Sequence, residues 1–228
     1  MFKRNLTSSD AFLVAVNLVP VWGVWIAGWK VSEVFMVYCL ESVVIGLYNL
    51  VKLGMTSMVK RRDIWNNTGE KVTWMPGLFF MFFFLIHYGF FIIIQLTIFL
   101  AVSGTQAAFG IASAFDYVLH FPWYLSNYSQ WFLLGFVVSY GLVMLKDFIL
   151  NSAFKTASLN AIIFAPYGRI FIQQFTVIAG SFFLGFGAGK IFITIFVVVK
   201  IFFEVWVNFE RIMAVMVKKQ ESAVRSEQ

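Results

Sequence analysis

The chain is poor in the residues that conventional metal and redox chemistry needs. It has one cysteine, Cys39, which excludes an intrachain disulfide, and only two histidines, His87 and His120. A metal site normally takes three or more protein ligands, and no H-E-x-x-H, C-x-x-C or i,i+4 histidine pair occurs here. No G-x-S-x-G elbow, Walker loop or dinucleotide fingerprint stands in a suitable strand–helix setting. Charge is scarce too: 12% of the residues are Asp, Glu, Lys or Arg, against 61% hydrophobic. A soluble domain of 228 residues could not hide that much apolar surface, so lipid is the expected solvent for most of it.

What is abundant fits that solvent. Phe alone occurs 29 times. The expected fold class is all-α, an integral membrane bundle of about six transmembrane helices. Its spans fall at about 11–28, 33–53, 76–102, 130–150, 167–189 and 190–212. The first has a basic lead, Lys3 and Arg4, but no A-x-A-like exit. It reads as an uncleaved helix kinked near Asn17, Pro20 and Gly23, with Trp22, Trp25 and Trp29 toward its far end. Residues 55–75 read as a polar connection, and Lys155 and Pro166 as part of the link before the fifth span. Residues 103–129 read as an outer interfacial or re-entrant segment with Trp123, Tyr124 and Tyr128 at the surface, and 213–228 as a cytoplasmic tail. Glycines 180, 185, 187 and 189 would allow close helix contact.

The net charge of +6 would suggest nucleic acid in a soluble protein. Here the basic residues flank apolar runs, so orientation and anionic headgroups explain them and no nucleic-acid partner is expected. Of the 17 Lys and Arg, all but Lys30, Lys190 and the intramembrane Lys200 collect on one side of the span pattern. Both termini are therefore expected in the cytoplasm, and the setting is a bacterial or archaeal inner membrane. The bilayer is the first partner, with a homo-oligomer or a partner membrane subunit as a further one.

The last apolar run, KIFITIFVVVKIFFEVWVNFERI, carries Lys200, Glu204 and Asn208 four residues apart, which on a helix makes one polar stripe. A charge at bilayer depth costs at least a few kcal/mol, so the stripe must face protein or water. At about 1.5 Å per residue, Glu41, His87 and Lys200 fall near one level and can meet near the midplane. A second layer, toward the cytoplasm, would join Asn49, Asp147, Arg169, Glu204 and Asn208. Gln173 and Gln174 complete the candidate polar path or ion-pair cluster. Lys200 with Glu41, and Arg169 with Asp147 or Glu204, are the expected pairs. No cofactor is expected, and a metal or haem bound through His87 is the outside alternative.

Three stretches together, YCLESVVIGLYNLVKL (38–53), FFLIHYGFF (83–91) and APYGRIFIQQFTVIAGSFFL (165–184), resemble a family of uncharacterised prokaryotic multi-pass membrane proteins catalogued as a domain of unknown function. The resemblance implies a multi-span fold and no particular activity. It also implies histidines in relatives at the positions of Tyr140, Gln174 and Asn208, so that a histidine-based metal or redox site would be weakened or lost here. The expected function is transport of a small solute or ion past a buried Glu/His/Lys cluster, not catalysis. The alternatives are a structural or assembly subunit and a membrane-embedded metal- or haem-binding enzyme.

Overall fold

A computed structural model describes residues 8–67 and 71–202. The chain is mostly helical. Its elements are α1 (Ser8–Trp25), α2 (Val31–Val59), a hairpin of β1 (Arg62–Asn67) and β2 (Val72–Pro76), α3 (Gly77–Val102), two short helices α4 (Thr105–Phe109) and α5 (Ala114–Tyr124), α6 (Asn127–Val143), α7 (Leu159–Gly185) and α8 (Gly189–Phe202). A π-helical segment, Met144–Leu150, continues α6. Among the described residues, three helices are long and apolar enough to cross a bilayer: α2, α3, and α6 with its π continuation. Shorter apolar stretches, Val14–Trp25, Leu159–Gly168 and Thr176–Gly185, lie within α1 and α7.

Contacts between side chains fix the helix directions. Ser57 meets Gly77 and Tyr88 meets Gly46, so α2 and α3 are antiparallel. Phe35 meets Gly180 near the start of α2, while Asp63 beyond its end meets Leu159, so α7 is antiparallel to it as well. Glu33 meets Ser129 and Glu41 meets Tyr140, so α6 runs parallel to α2. Val31 meets Gly189 and Glu41 meets Lys200, so α8 does too. Trp25 meets Thr194 and Asn17 meets Lys200, which makes α1 antiparallel to α8.

Helix α2 is the centre of the bundle. Its most apolar stretch is 61% buried, against 28% for α3 and 33% for α6. An unbroken run from Glu33 to Ser42 is buried. A stretch hidden on all sides has no polar face to show water, which accounts for the absence of a clean amphipathic pattern from Glu33 to Ser42. Helix α3 reads as apolar all round for the opposite reason: Leu78, Phe82, Leu85, Ile86 and Phe90 are exposed, a face suited to lipid.

Several expected boundaries move. The polar connection at 55–75 is not all loop: α2 runs on to Val59, and β1 and β2 pair antiparallel with Arg62 opposite Pro76, adding one small sheet to the expected all-α fold. Asp63 and Ile64 point inward from β1, and Trp65 packs against Phe79, Phe80, Phe83 and Phe164, so the hairpin has an apolar seat. Pro166 lies inside α7 and not in a link before it. A proline lacks the N–H of one helical hydrogen bond, but surrounding helices can hold a helix through that loss. Among the four late glycines, Gly180 and Gly189 sit at close contacts, with Phe35 and Phe192 and with Leu184 and Val31. A side chain at Gly185 would meet open space, and Gly187 serves a turn at φ +73°.

The closest approach to a glycine between described helices is where α3 begins over the last turns of α2. A Cβ on Gly77 would stand 1.7 Å from Ser57 Oγ, 2.7 Å from its Cβ and 3.2 Å from its Cα. Gly77→Ala is expected to destabilise the folded protein by about 1–3 kcal/mol, the usual range for overpacking. The double variant Gly77→Ala/Ser57→Gly should recover most of that loss. Thermal melts of the two purified variants in one detergent check it, and equal melting temperatures for Gly77→Ala and the parent would refute the close contact.

Candidate functional site

The deepest charged group on α2 is Glu41, about 15 Å along the helix from its start, and Lys200 lies about 16 Å along α8. Because the two helices start at the same end of the bundle, these residues share a level. Lys200 Nζ is 2.7 Å from Glu41 Oε1. The same ammonium donates to Asn17 Oδ1 of α1 at 2.7 Å. The Tyr140 hydroxyl of α6 donates to Glu41 Oε1 at 2.5 Å. The rings of Tyr38 and Phe136 lie 5.0 and 4.7 Å from the ammonium. Four helices thus converge on one ion pair, with Glu41 fully buried and Lys200 4% exposed.

Each partner answers a physical need. An isolated ammonium or carboxylate in a low-dielectric interior loses several kcal/mol of hydration. The opposite charge, a neutral amide oxygen and two aromatic faces replace that hydration around Lys200. The carboxylate gains the ammonium and a phenol on a single oxygen. Chemically, Tyr140, Glu41 and Lys200 form a chain of three proton-bearing groups in direct hydrogen-bond contact.

Other predicted members lie elsewhere. His87 does not join the pair: it is on the exposed face of α3, with Nδ1 2.7 Å from the Tyr167 hydroxyl of α7 and its ring stacked on Phe83. Its neighbour Tyr88 is the inward residue, donating to the Ser42 carbonyl at 3.0 Å. One residue along a helix turns the side chain by about 100°, so Tyr88 faces α2 while His87, one residue before it, faces Tyr167 of α7. Asp147 is also outside the cluster, exposed on the π-helical segment. Asn49 is buried on α2, and its amide nitrogen has no partner among the described residues. Gln174 is half-buried on α7. The side chains of Arg169 and Gln173, and all of Glu204 and Asn208, lie outside the described residues, as do the pairs expected of them. Among the described residues, no three His, Cys, Asp or Glu side chains gather where they could hold a metal ion.

Two further carboxylates were not read from the sequence as helix anchors. Glu33 receives the Ser126 amide at 3.0 Å, the Ser126 hydroxyl, and the Ser129 hydroxyl at 3.0 Å, and so caps the start of α6. Asp63 receives the Leu159 amide at 2.6 Å and the Ser158 hydroxyl at 2.9 Å at the start of α7, with Lys60 at 3.1 Å. A carboxylate at a helix start accepts orphan N–H groups and meets the positive end of the helix dipole. In sequence the Ser-rich helix starts, Ser126 and Ser158, were the available signal.

A third acid lies in the 103–129 segment. Asp116 accepts from Tyr124 Oη at 2.6 Å and from the Ala112 amide at 3.0 Å, and it pairs with His120 Nδ1 at 2.8 Å. The Tyr124 hydrogen bond, then those of Ala112 and His120, hold its carboxyl below the usual aspartate range. The same contact raises the Tyr124 phenol.

With this geometry established, the family follows. The chain belongs to a family of unknown function, DUF6498, whose model matches residues 1–228. Neither the curated proteins nor the solved structures yield a match. Membership in DUF6498 carries no activity with it, so function rests on the site itself. Among the described positions where the resemblance implies histidine in relatives, Tyr140 touches the buried pair.

The pair yields a stability prediction. Glu41→Gln or Lys200→Met alone leaves a buried charge without its counterion and is expected to cost about 3–5 kcal/mol. The double variant Glu41→Leu/Lys200→Met removes both charges and should lie much nearer the parent. Unfolding of the purified proteins in mixed micelles measures all three, and additive losses in the double variant would contradict the coupling. A pH prediction follows from Asp116. Its carboxylate is stabilised in the fold, so its contribution is present above the ordinary aspartate pKa and is lost as pH falls through the lowered folded value. The Ala112 amide should be protected at pH 5, measured against its intrinsic exchange rate, and lose that protection in strong acid, whereas Asp116→Ala should lack it at both. A protected Ala112 amide in Asp116→Ala would show that the carboxylate does not hold this turn.

Proposed function

We propose that this is a multi-pass inner-membrane protein whose six long helices, α1, α2, α3, α6, α7 and α8, cross the bilayer with both termini in the cytoplasm. The six helices pack side by side in alternating direction, which six crossings require. The positive-inside bias of Lys and Arg supports the orientation. The end that carries Trp25, Trp29 and Trp131 is then the outer surface.

Within that bundle the proposed activity is movement of a small solute or ion coupled to the Tyr140–Glu41–Lys200 chain. One observation carries the proposal: a lysine and a glutamate in direct contact stand at the level where α1, α2, α6 and α8 meet. Apolar residues of similar volume would hold four helices together at least as well, and intramembrane ionisable groups are by default candidates for transport or proton relay. The pair can lose its charges by a proton passing from Lys200 to Glu41, which changes the electrostatic cost of the site without adding net charge. A second reading, a structural or assembly subunit, is favoured by the Tyr38 and Phe136 rings that close over the ammonium.

Purified protein in pyranine-loaded liposomes, with a potassium diffusion potential imposed by valinomycin, separates the two. Transport predicts proton movement above the protein-free leak, abolished in Glu41→Gln at unchanged reconstitution. Wild-type vesicles no leakier than empty ones would favour the structural reading, and equal flux in wild type and Glu41→Gln would remove the pair from the path.

A further inference from the structure

Helix α5 is held by the bundle on one side only, and its three sides are chemically distinct. Tyr117 is fully buried and donates to the Met36 carbonyl of α2 at 3.0 Å, with Ala114 buried beside it. Phe115, Leu119 and Trp123, at i, i+4 and i+8, are 62%, 72% and 79% exposed. Asp116, His120 and Tyr124 come one position later in sequence, with the histidine and the tyrosine both bonded to the aspartate. Four-residue steps align side chains along a helix, so each set forms a stripe. The backbone departs from helical angles at His120, and Pro122 follows it. The His120 ring nevertheless stacks on Trp123 at 4.6 Å with an 8° interplanar angle, joining the polar stripe to the apolar one.

Three large apolar side chains in a row, more than half exposed, are costly in water. The segment's place in the fold says what covers them. It joins the end of α3 to the start of α6, two helices long enough to cross a bilayer, and so lies at the bundle end. At about 16 Å, α5 is too short to cross a hydrocarbon core of about 30 Å. The same end carries the stacked Trp29–Tyr128 pair, exposed Trp131, and Lys30 beside Phe109. Aromatic and lysine side chains of this kind mark the headgroup level.

We propose that α5 is an in-plane membrane anchor: Phe115, Leu119 and Trp123 enter the headgroup–acyl boundary of the bilayer that the bundle itself spans. The proposal rests on the multi-pass reading above and chooses the interfacial over the re-entrant arrangement. The polar stripe explains how the helix tolerates that position. Asp116 accepts from a tyrosine, a histidine and a backbone amide, so its charge is matched inside the protein and not presented to phosphate groups. Tyr117 sets the roll of the helix by fixing its opposite side to α2.

Spin labels at single cysteines test this in nanodiscs of phosphatidylethanolamine and phosphatidylglycerol. Cys39 is buried, and Cys39→Ala removes any residual background. Phe115→Cys, Leu119→Cys and Trp123→Cys are all at exposed positions, so labelling should leave the fold intact. An in-plane anchor predicts that each label collides more with oxygen than with a water-soluble nickel chelate, at one shared depth. A re-entrant segment would instead spread Phe115 and Trp123 over about 12 Å of depth. Nickel collisions dominating at all three sites would place the stripe in water, and low collision with both reagents would place it under another protein chain. Either result overturns the proposal. Ile86→Cys, on the exposed face of α3, is the control for the reading beneath it. If Ile86 sees oxygen while Leu119 sees nickel, only the anchor fails; if Ile86 also sees nickel, the multi-pass arrangement fails with it.

Discussion

A carboxylate inside an apolar bundle must be matched, and the architecture follows from how three of them are matched. Glu33 and Glu41 lie on α2, and Asp63 lies just beyond it on β1. Each is engaged by a different helix at a different level: the start of α6 at Glu33, Lys200 of α8 at Glu41, the start of α7 at Asp63. Van der Waals packing between apolar helices specifies register weakly, because a helix can slide and exchange one set of methyl contacts for another. A charge in low dielectric does not allow that exchange, since a one-turn slip of about 5.4 Å would leave both partners unmatched. The acids on and after α2 therefore act as register pins, and the bulk of the apolar side chains fills the space between them.

The filling is aromatic, and it determines where glycine is needed. Phe35 lies within 6.0 Å, ring to ring, of Phe99, Phe192 and Phe196, and the ring of Phe35 also occupies the position a side chain on Gly180 would take. Tyr88 does the same at Gly46. Large rings on one helix and a missing Cβ on its neighbour bring axes close while keeping the interior dense. The arrangement also places Tyr38 and Phe136 beside the Lys200 ammonium, so the rings that pack the centre are those that shield its charge.

Some of this was legible in the residues and some was not, for identifiable reasons. Depth is readable because rise per residue is constant: Glu41 and Lys200 fall at one level by arithmetic alone. Facing is readable only where apolar and polar residues alternate with helical period. Around His87 the sequence FFLIHYGFF offers no such contrast, and the histidine was placed inward when Tyr88 is the inward residue. Asn17 and Tyr140 were visible as polar groups in apolar runs, but nothing local ties either to Lys200, which is 183 residues from Asn17 in sequence. The hairpin at Arg62–Pro76 was hidden by its charge, because Lys60, Arg61 and Arg62 read as an orientation signal while the inward Asp63, Ile64 and Trp65 follow directly. The extension of α7 through Pro166 ran against a local rule that holds in water and is relaxed among neighbouring helices.

Backbone irregularity is unevenly shared among the helices that meet at the pair. Glu41 sits in a regular helix that is buried along that stretch and pinned at both ends through Glu33 and Asp63. Its partners sit beside irregular backbone. Asn17 is three residues before Pro20 in α1, where the missing N–H leaves the Val16 carbonyl without its helical donor. Tyr140 is four residues before the π-helical Met144–Leu150, a geometry found in short segments and frequent at functional sites. On the transport reading proposed above, opening of the site belongs to α1 and α6, whose irregular backbone flanks Asn17 and Tyr140, and the hydrogen bond from the Tyr140 hydroxyl to the carboxylate is the contact such a movement would break.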